Sequence, residues 1–253
     1  MSLKPTPASP AGLSRRLWTA AMGGCLAALA LHSPLAQAQD FPPRKNVTML
    51  VGFAAGGAAD TGARIIAKRL GENLGVSVTV DNKAGAGGTI GTDFVARAPK
   101  DGYTLGMMID SHTITPALMT KLNYDSIKDF TPISMMAVGQ HVIVAHPSFG
   151  PNNIKEFIEY AKAKPGEPYA SSGTGTAQHL GMEMLKLKAG IQLTHVPYKG
   201  GGQAINDVVS GQVKVAILGI APVLPFIKSG QLKVLAVTGE SRTALFPDVR
   251  TVS

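Results

Sequence analysis

From Val47 onward, short apolar runs alternate with stretches whose apolar residues recur every three to four positions. Val47–Val51 is continuously apolar or β-branched, the pattern of a strand buried on both faces. Asp60–Leu74 sets Ala63, Ile66, Ala67, Leu70 and Leu74 on one stripe, with Lys68, Arg69 and Glu72 opposite, which predicts an amphipathic helix. Val76–Val80 reads as the next strand, Thr89–Ala98 as a helix and Tyr103–Ile109 as a third strand. Ile133–Ala145 is a long extended run interrupted by Gly139-Gln140-His141. Helices predicted over Ile154–Lys164, Gln178–Ala189, Ala204–Ser210 and Pro222–Ser229 then alternate with strands at Gln192–Val196, Val213–Leu218 and Leu232–Val237. Strands and helices alternating at these lengths indicate an α/β fold, its sheets mostly parallel and covered by helices on both faces. Ile133–Ala145 and Leu232–Val237 are candidates for crossings between two lobes. No internal repeat is visible.

The first 38 residues follow other rules. Their only charges are Lys4, Arg15 and Arg16, and an apolar run from Leu17 to Leu31 follows, short for a bilayer-spanning helix. Pro34 and Ala36-Gln37-Ala38 then complete the pattern of a secretory signal peptide, with cleavage expected after Ala38. Arg15-Arg16 followed by Leu17-Trp18-Thr19 matches a twin-arginine signal poorly, and Met22-Gly23-Gly24-Cys25 matches a lipoprotein site only loosely. Cleavage after Ala38 removes Cys25, the sole cysteine, so the exported chain would have no disulfide, thiolate chemistry or cysteine-based zinc site.

Composition narrows the classes further. A chain that is 45% hydrophobic and 16% charged is not disordered as a whole, and 24 Lys+Arg against 16 Asp+Glu leaves +8 without any basic run. With aromatics at 6% and none interleaved with arginine, nucleic acid is not an expected partner. The spread positive charge suits a small anion.

Small residues gather at four strand-to-helix junctions: Phe53-Ala54-Ala55-Gly56-Gly57-Ala58-Ala59, Lys83-Ala84-Gly85-Ala86-Gly87-Gly88-Thr89, Ser171-Ser172-Gly173-Thr174-Gly175-Thr176 and Tyr198-Lys199-Gly200-Gly201-Gly202. In open parallel sheets the ligand crevice lies outside the carboxyl ends of the strands. Each junction opens a helix, whose unpaired N–H groups and positive dipole end favour an anion, and glycine lets the backbone approach closely. Converging from two lobes, these loops would form a donor-rich pocket for a carboxylate. Asp60 at a helix start reads either as a dipole-compensating acid or as a selector of ligand hydroxyl or ammonium groups. Ser111, after the third strand, joins the candidate set, and Lys199 is a candidate pocket cation.

Other chemistries find less support. Gly52-Phe53-Ala54-Ala55-Gly56-Gly57 approximates a dinucleotide turn, with Asp81 near the place of a ribose-binding acid, but the match is partial. No Gly-Lys-Ser/Thr P-loop and no G-x-S-x-G elbow occurs. His112, His141, His146, His179 and His195 are scattered over separate elements, His141 and His146 on opposite faces of one extended run, so neither a shared metal nor a cofactor is expected.

The same loops carry a family likeness. Phe53–Asp60, Asn82–Gly88, Asp101-Gly102-Tyr103-Thr104-Leu105, Ser171–Thr176 with His179-Leu180, His195-Val196-Pro197-Tyr198-Lys199-Gly200, and Leu232–Thr238 with Arg242, Pro247, Asp248 and Val249 resemble the tripartite tricarboxylate transporter receptors, the TctC or Bug family of extracytoplasmic solute-binding proteins. The likeness covers residues 42–253. It implies a two-lobed, type II periplasmic binding protein of the Venus-flytrap kind, each lobe a mostly parallel sheet flanked by helices. It also implies a non-catalytic monomer that captures a small organic acid (a mono-, di- or tricarboxylate, or an amino acid) in the periplasm and delivers it to the permease subunits of a membrane transporter. The implied site comprises Phe53, Ala54, Gly56, Gly57, Ala59, Asp60, Gly85, Ala86, Gly87, Gly88 and Thr89 from lobe one. Lobe two adds Ser171, Ser172, Gly173, Thr174, Thr176, Tyr198, Lys199, Gly200 and Gly201. Ala55 and Gln203 stand where the family often has Pro, and Ala59 where it usually has a hydroxyl, so the ligand itself is not carried over from a relative. The expected division is a leader over 1–38, lobe one over 39–138, lobe two over 139–232 and a return to lobe one over 233–253. The family's chain continues beyond Ser253, and an incomplete copy is expected. Two further readings stay open at this point: an exported α/β oxidoreductase using the Gly52–Gly57 turn, and a ligand sensor presenting its closed form to a signalling partner.

Overall fold

Val47–Val51 forms β1, the middle strand of a three-stranded parallel sheet in the computed structural model, which describes residues 45–252 of the compact unit beginning at Pro42. The expected leader and Cys25 lie outside the described residues. β2 (Val78–Asn82) and β3 (Thr104–Met107) flank β1 in the order β2-β1-β3. Helix α1 (Ala58–Leu74) lays Ala63 and Ala67 against β1, and Met49, Val51 and Phe53 complete this small core. The helix ends where Gly75 turns left-handed (φ 67°) and its N–H bonds to the Gly71 carbonyl. This turn delays β2 by two residues relative to the apolar run at Val76. Helices α2 (Thr89–Arg97) and α3 (Ser111–Leu118) follow β2 and β3.

The second sheet has five strands in the order β6-β5-β7-β4-β8. They are β4 (His141–Ala145), β5 (Glu167–Ser171), β6 (Leu193–Pro197), β7 (Val215–Gly219) and β8 (Lys233–Val237). β4 runs antiparallel to both its neighbours, whereas β5 is parallel to β6 and β7. Helices α4 (Ile154–Ala163) and α5 (Ala177–Ala189) cover one face, where Ile143, Phe157, Tyr169, Met182 and Ile217 interlock. Helices α6 (Gly201–Val209) and α7 (Ile220–Lys228) cover the other, over Val142, Ala170, Val208, Ala216 and Val223. Both faces are thus dry, which is why Val142–Ala145 and Val215–Gly219 read as unbroken apolar runs. A fully buried side chain such as Phe157 stabilises by about 1.5–3 kcal/mol.

Three expectations are corrected. The extended run at Ile133–Ala145 pairs only from His141 onward; Ile133, Met135 and Val138 are 80%, 80% and 83% exposed, with no strand beside them among the described residues. The return to lobe one expected from residue 233 is not seen: β8 pairs with β4, and Thr251 bridges to Val237, so this stretch borders the second sheet. Finally, α3 and β5 exist although the pattern did not predict them. Thr113-Ile114-Thr115-Pro116 looks hostile to a helix, and Pro168 to a strand. Pro168 is tolerated because β7 pairs β5 only at Tyr169 and Ala170, leaving it beyond the end of that ladder.

Candidate functional site

The four glycine-rich junctions are built differently but meet. In the first, Gly57 caps α1 with extended backbone and no side-chain bond. The turn is held from behind by Asp60, 3% exposed, whose carboxylate accepts the Gly56 N–H (3.0 Å), the Arg64 Nε–H (3.0 Å) and the Asn82 amide (3.0 Å). Asn82 also donates to the Phe53 carbonyl at 2.9 Å. Burial pushes the Asp60 carboxyl up, but the Arg64, Gly56 and Asn82 hydrogen bonds outweigh it and hold the group below its usual range. Asp60 therefore helps to shape the loop.

In the second junction, Ala86 is left-handed (φ 47°), the only non-glycine with positive φ among the described residues, and Gly87 follows at φ 64°. A left-handed alanine stores about 1–2 kcal/mol of strain. The turn is closed by the Gly88 N–H, which donates to the Gly85 carbonyl at 3.0 Å. Phe53 supports this loop from below: a Cβ on Gly88 would lie 2.9 Å from the ring. Between Phe53, Gly88, Thr92, Met108, Ser111 and His112 is a space of about 10 Å³, room for roughly one water. Ser111, 4% exposed, lines that space.

The third junction is fastened by its own hydroxyls. Thr176 caps α5, accepting the His179 N–H and donating to the Gly173 carbonyl at 2.7 Å. Ser171 Oγ accepts the Gly173 N–H at 3.1 Å and lies 2.7 Å from His195 Nε2. The His195 ring is stacked between Tyr169 (5.0 Å) and His179 (4.1 Å). Burial, then the neighbouring His179, push its pKa down to about 4, so the ring that hydrogen-bonds Ser171 is neutral. The histidines that seemed scattered in sequence thus include a stacked pair, and Asn82 and His195 are the fasteners that motif spacing missed. In the fourth junction Tyr198 turns its hydroxyl onto Asp207; burial first, and that carboxylate second, push it up to about 12. Tyr198 thereby packs beneath its loop. Ser172 is buried, and the Lys199 side chain is exposed.

Across the two sheets the junctions touch backbone to backbone. The Ala54 N–H donates to the Lys199 carbonyl at 2.8 Å. A Cβ on Gly57 would lie 3.0 Å from the Gly201 nitrogen, one on Gly200 2.7 Å from the Ala54 nitrogen, and one on Gly87 would overlap the Thr174 carbonyl oxygen. The heads of α1, α2, α5 and α6 therefore converge, their first-turn N–H groups bordering one place. Phe53, Ala59, Asp60, Ser111, Ser171, Ser172 and Thr176 are buried around it, while Ala54, Gly56, Ala86, Gly87, Thr89, Thr174 and Lys199 retain exposed surface; Gly173, Gly200 and Gly201 are enclosed by backbone contact and Gly85 by the Ile90 side chain. The dinucleotide alternative loses ground: Asp81 is ion-paired to Lys83 at 3.1 Å, and the Asp60 carboxylate already takes the Gly56 N–H that a phosphate would need. Among the described residues no cluster of three or more His, Cys, Asp or Glu could hold a metal, and no helix is long and apolar enough to cross a membrane.

The model of the tripartite tricarboxylate transporter family receptor, TctC, matches residues 62–253. The chain belongs to this family. Three solved structures are similar to it. BugD, a periplasmic binding protein, is 39% identical with a TM-score of 0.77, over 83% of this chain and 70% of that one. Rpa4515 from R. palustris with adipate is 32% identical, TM-score 0.80, covering 84% and 71% of the two chains. MatC from Rhodopseudomonas palustris with bound malate is 32% identical, TM-score 0.76, covering 83% and 72%. This TctC receptor thus has the α/β architecture of the periplasmic binding proteins, and its family is one of solute receptors.

Proposed function

We propose that this TctC receptor binds a small organic carboxylate between its two sheets, in the periplasm, and hands it to the membrane subunits of a tripartite transporter without chemical change. The observation that carries this reading is the convergence of four helix starts, three of them without a side-chain cap, joined across the gap by the Ala54–Lys199 hydrogen bond. Peptide N–H groups of Gly57 to Ala59 and of Ala86 and Gly87 supply donors for one carboxylate from the first lobe. Ser172 to Thr174 and Lys199 to Gly201 close over it from the second. Each charge-assisted hydrogen bond contributes about 1.5–3 kcal/mol, and a handful, less the ordering cost, supports roughly micromolar affinity. Closure follows because the ligand touches both lobes only when they meet. The adipate and malate held by two relatives are both carboxylates, in keeping with this chemistry.

Isothermal titration with mono-, di- and tricarboxylates and amino acids tests the reading. Saturable binding of at least one acid, with none of nicotinamide dinucleotides, is the expected result; dinucleotide binding without acid binding overturns it.

A further inference from the structure

His141 opens β4, and none of the four loops contains it. In the antiparallel ladder it stands directly opposite Gly219, so the two side-chain positions leave the same face of the sheet. A Cβ on Gly219 would lie 2.9 Å from the Cβ of Ala58, the first residue of α1 and next to Gly57. The imidazole therefore leaves the second sheet on the side where the first lobe's carboxylate loop arrives. Its backbone is fully engaged, the N–H donating to Thr238 Oγ1 at 3.1 Å and the carbonyl accepting the Thr238 N–H at 2.9 Å. The ring is different. It is half-buried, and among the described residues neither ring nitrogen has a hydrogen-bond partner. The charge that faces it comes from the first lobe: Asp110, at the head of α3 beside Ser111. Burial pushes the ring's pKa down and Asp110 offsets this only in part, which leaves a neutral imidazole with one donor and one acceptor.

We propose that His141 reads the end of the ligand remote from its carboxylate, and that it selects acids carrying a neutral hydroxyl there over acids ending in an alkyl group or a second carboxylate. The inference rests on the carboxylate reading above and deepens it. A hydroxyl accepts from the imidazole and still has a proton to give, which matches a neutral ring set near an acid. An alkyl end would shut the unpartnered ring nitrogens away from water, and a site built to hydrogen-bond discriminates against a ligand that cannot. A second carboxylate would meet Asp110 with no cation on the ring to balance it.

The test is isothermal titration of the full chain with ω-hydroxyalkanoates, plain alkanoates and α,ω-dicarboxylates of equal length. The wild type is expected to prefer the hydroxy acid at least about tenfold, in the range of one hydrogen bond to a buried partner. His141→Leu is expected to erase the preference, strengthening alkanoate binding because no ring nitrogen is left to strand and weakening hydroxy-acid binding, and His141→Asn, which retains a donor, to keep part of it. Circular dichroism establishes that each variant is folded; should His141→Leu not fold, the wild-type ratio and His141→Asn decide. An unchanged ratio in the folded variants, or a wild type that binds acids but ignores the hydroxyl, overturns the role of His141 alone. A wild type that binds no carboxylate at all overturns the binding site as well.

Discussion

The two sheets hold their ligand loops in opposite ways. In the three-stranded sheet the core is small, β2 and β3 are only half-buried, and the first loop hangs on one buried carboxylate, Asp60. In the five-stranded sheet apolar layers on both faces bury the central strands β4 and β7 almost completely, and the loop at Ser171 rests on stacked rings, with Tyr169 bonded to Glu183 at 2.8 Å behind them. Where a core is thin, polar fastening sets the shape of a binding loop; where it is thick, packing does so and polar groups refine it.

The largest expected effect strikes where the two halves meet. Gly87→Val places a β-branched side chain at φ 64° and into the Thr174 carbonyl, so the second loop can no longer abut the third. Affinity for any acid should fall at least about 100-fold, roughly 2.7 kcal/mol, while the far-ultraviolet spectrum stays the same. Wild-type affinity in this variant would remove the Gly87–Thr174 contact from the closed form.

Asp60→Ala tests the polar fastening of the thinner side. It strands the Gly56 N–H and the Asn82 amide, and stability should drop by about 2–4 kcal/mol in urea unfolding. The Arg64 partner is 54% exposed and adds little to that figure. An effect under about 0.5 kcal/mol would erase the contrast drawn between the lobes.

Acid separates the two halves more gently. His195 titrates near 4 in the folded chain against an ordinary 6.5, so the unfolded chain takes up a proton that the folded one refuses. Its contribution is complete above about pH 6.5 and is lost as the pH falls toward 4. Asp60, with a depressed pKa, contributes above its ordinary 3.8 and loses that contribution only at more acid pH. Urea midpoints measured against pH should therefore decline in two stages, and His195→Gln should flatten the first. A single decline below pH 4 would show that the stacked ring carries no such linkage.

Much of this was legible in the residues. Val47–Val51 and the helix that follows stand where their patterns put them, because one is dry on both sides and the other has a clear stripe. The four junctions were visible since only small residues allow backbones to touch. What stayed hidden depended on neighbours distant in sequence. Ile133 and Val138 have strand-like alternation but no strand to pair with among the described residues, and β5 looked broken because the short overlap that tolerates Pro168 is a property of β7. Asp60 read either as a dipole-compensating acid or as a ligand selector, and its bond to Asn82, 22 residues on, had no local signal. His141 carries no motif at all; its place is set by Gly219 across the ladder.

The hydrogen bond from Ala54 to Lys199 joins two peptide groups, and so it is indifferent to which cargo lies inside. The latch is generic and the lock is not. Descendants of such a receptor can change diet by exchanging one or two lining side chains, without having to reinvent the motion that shuts the door.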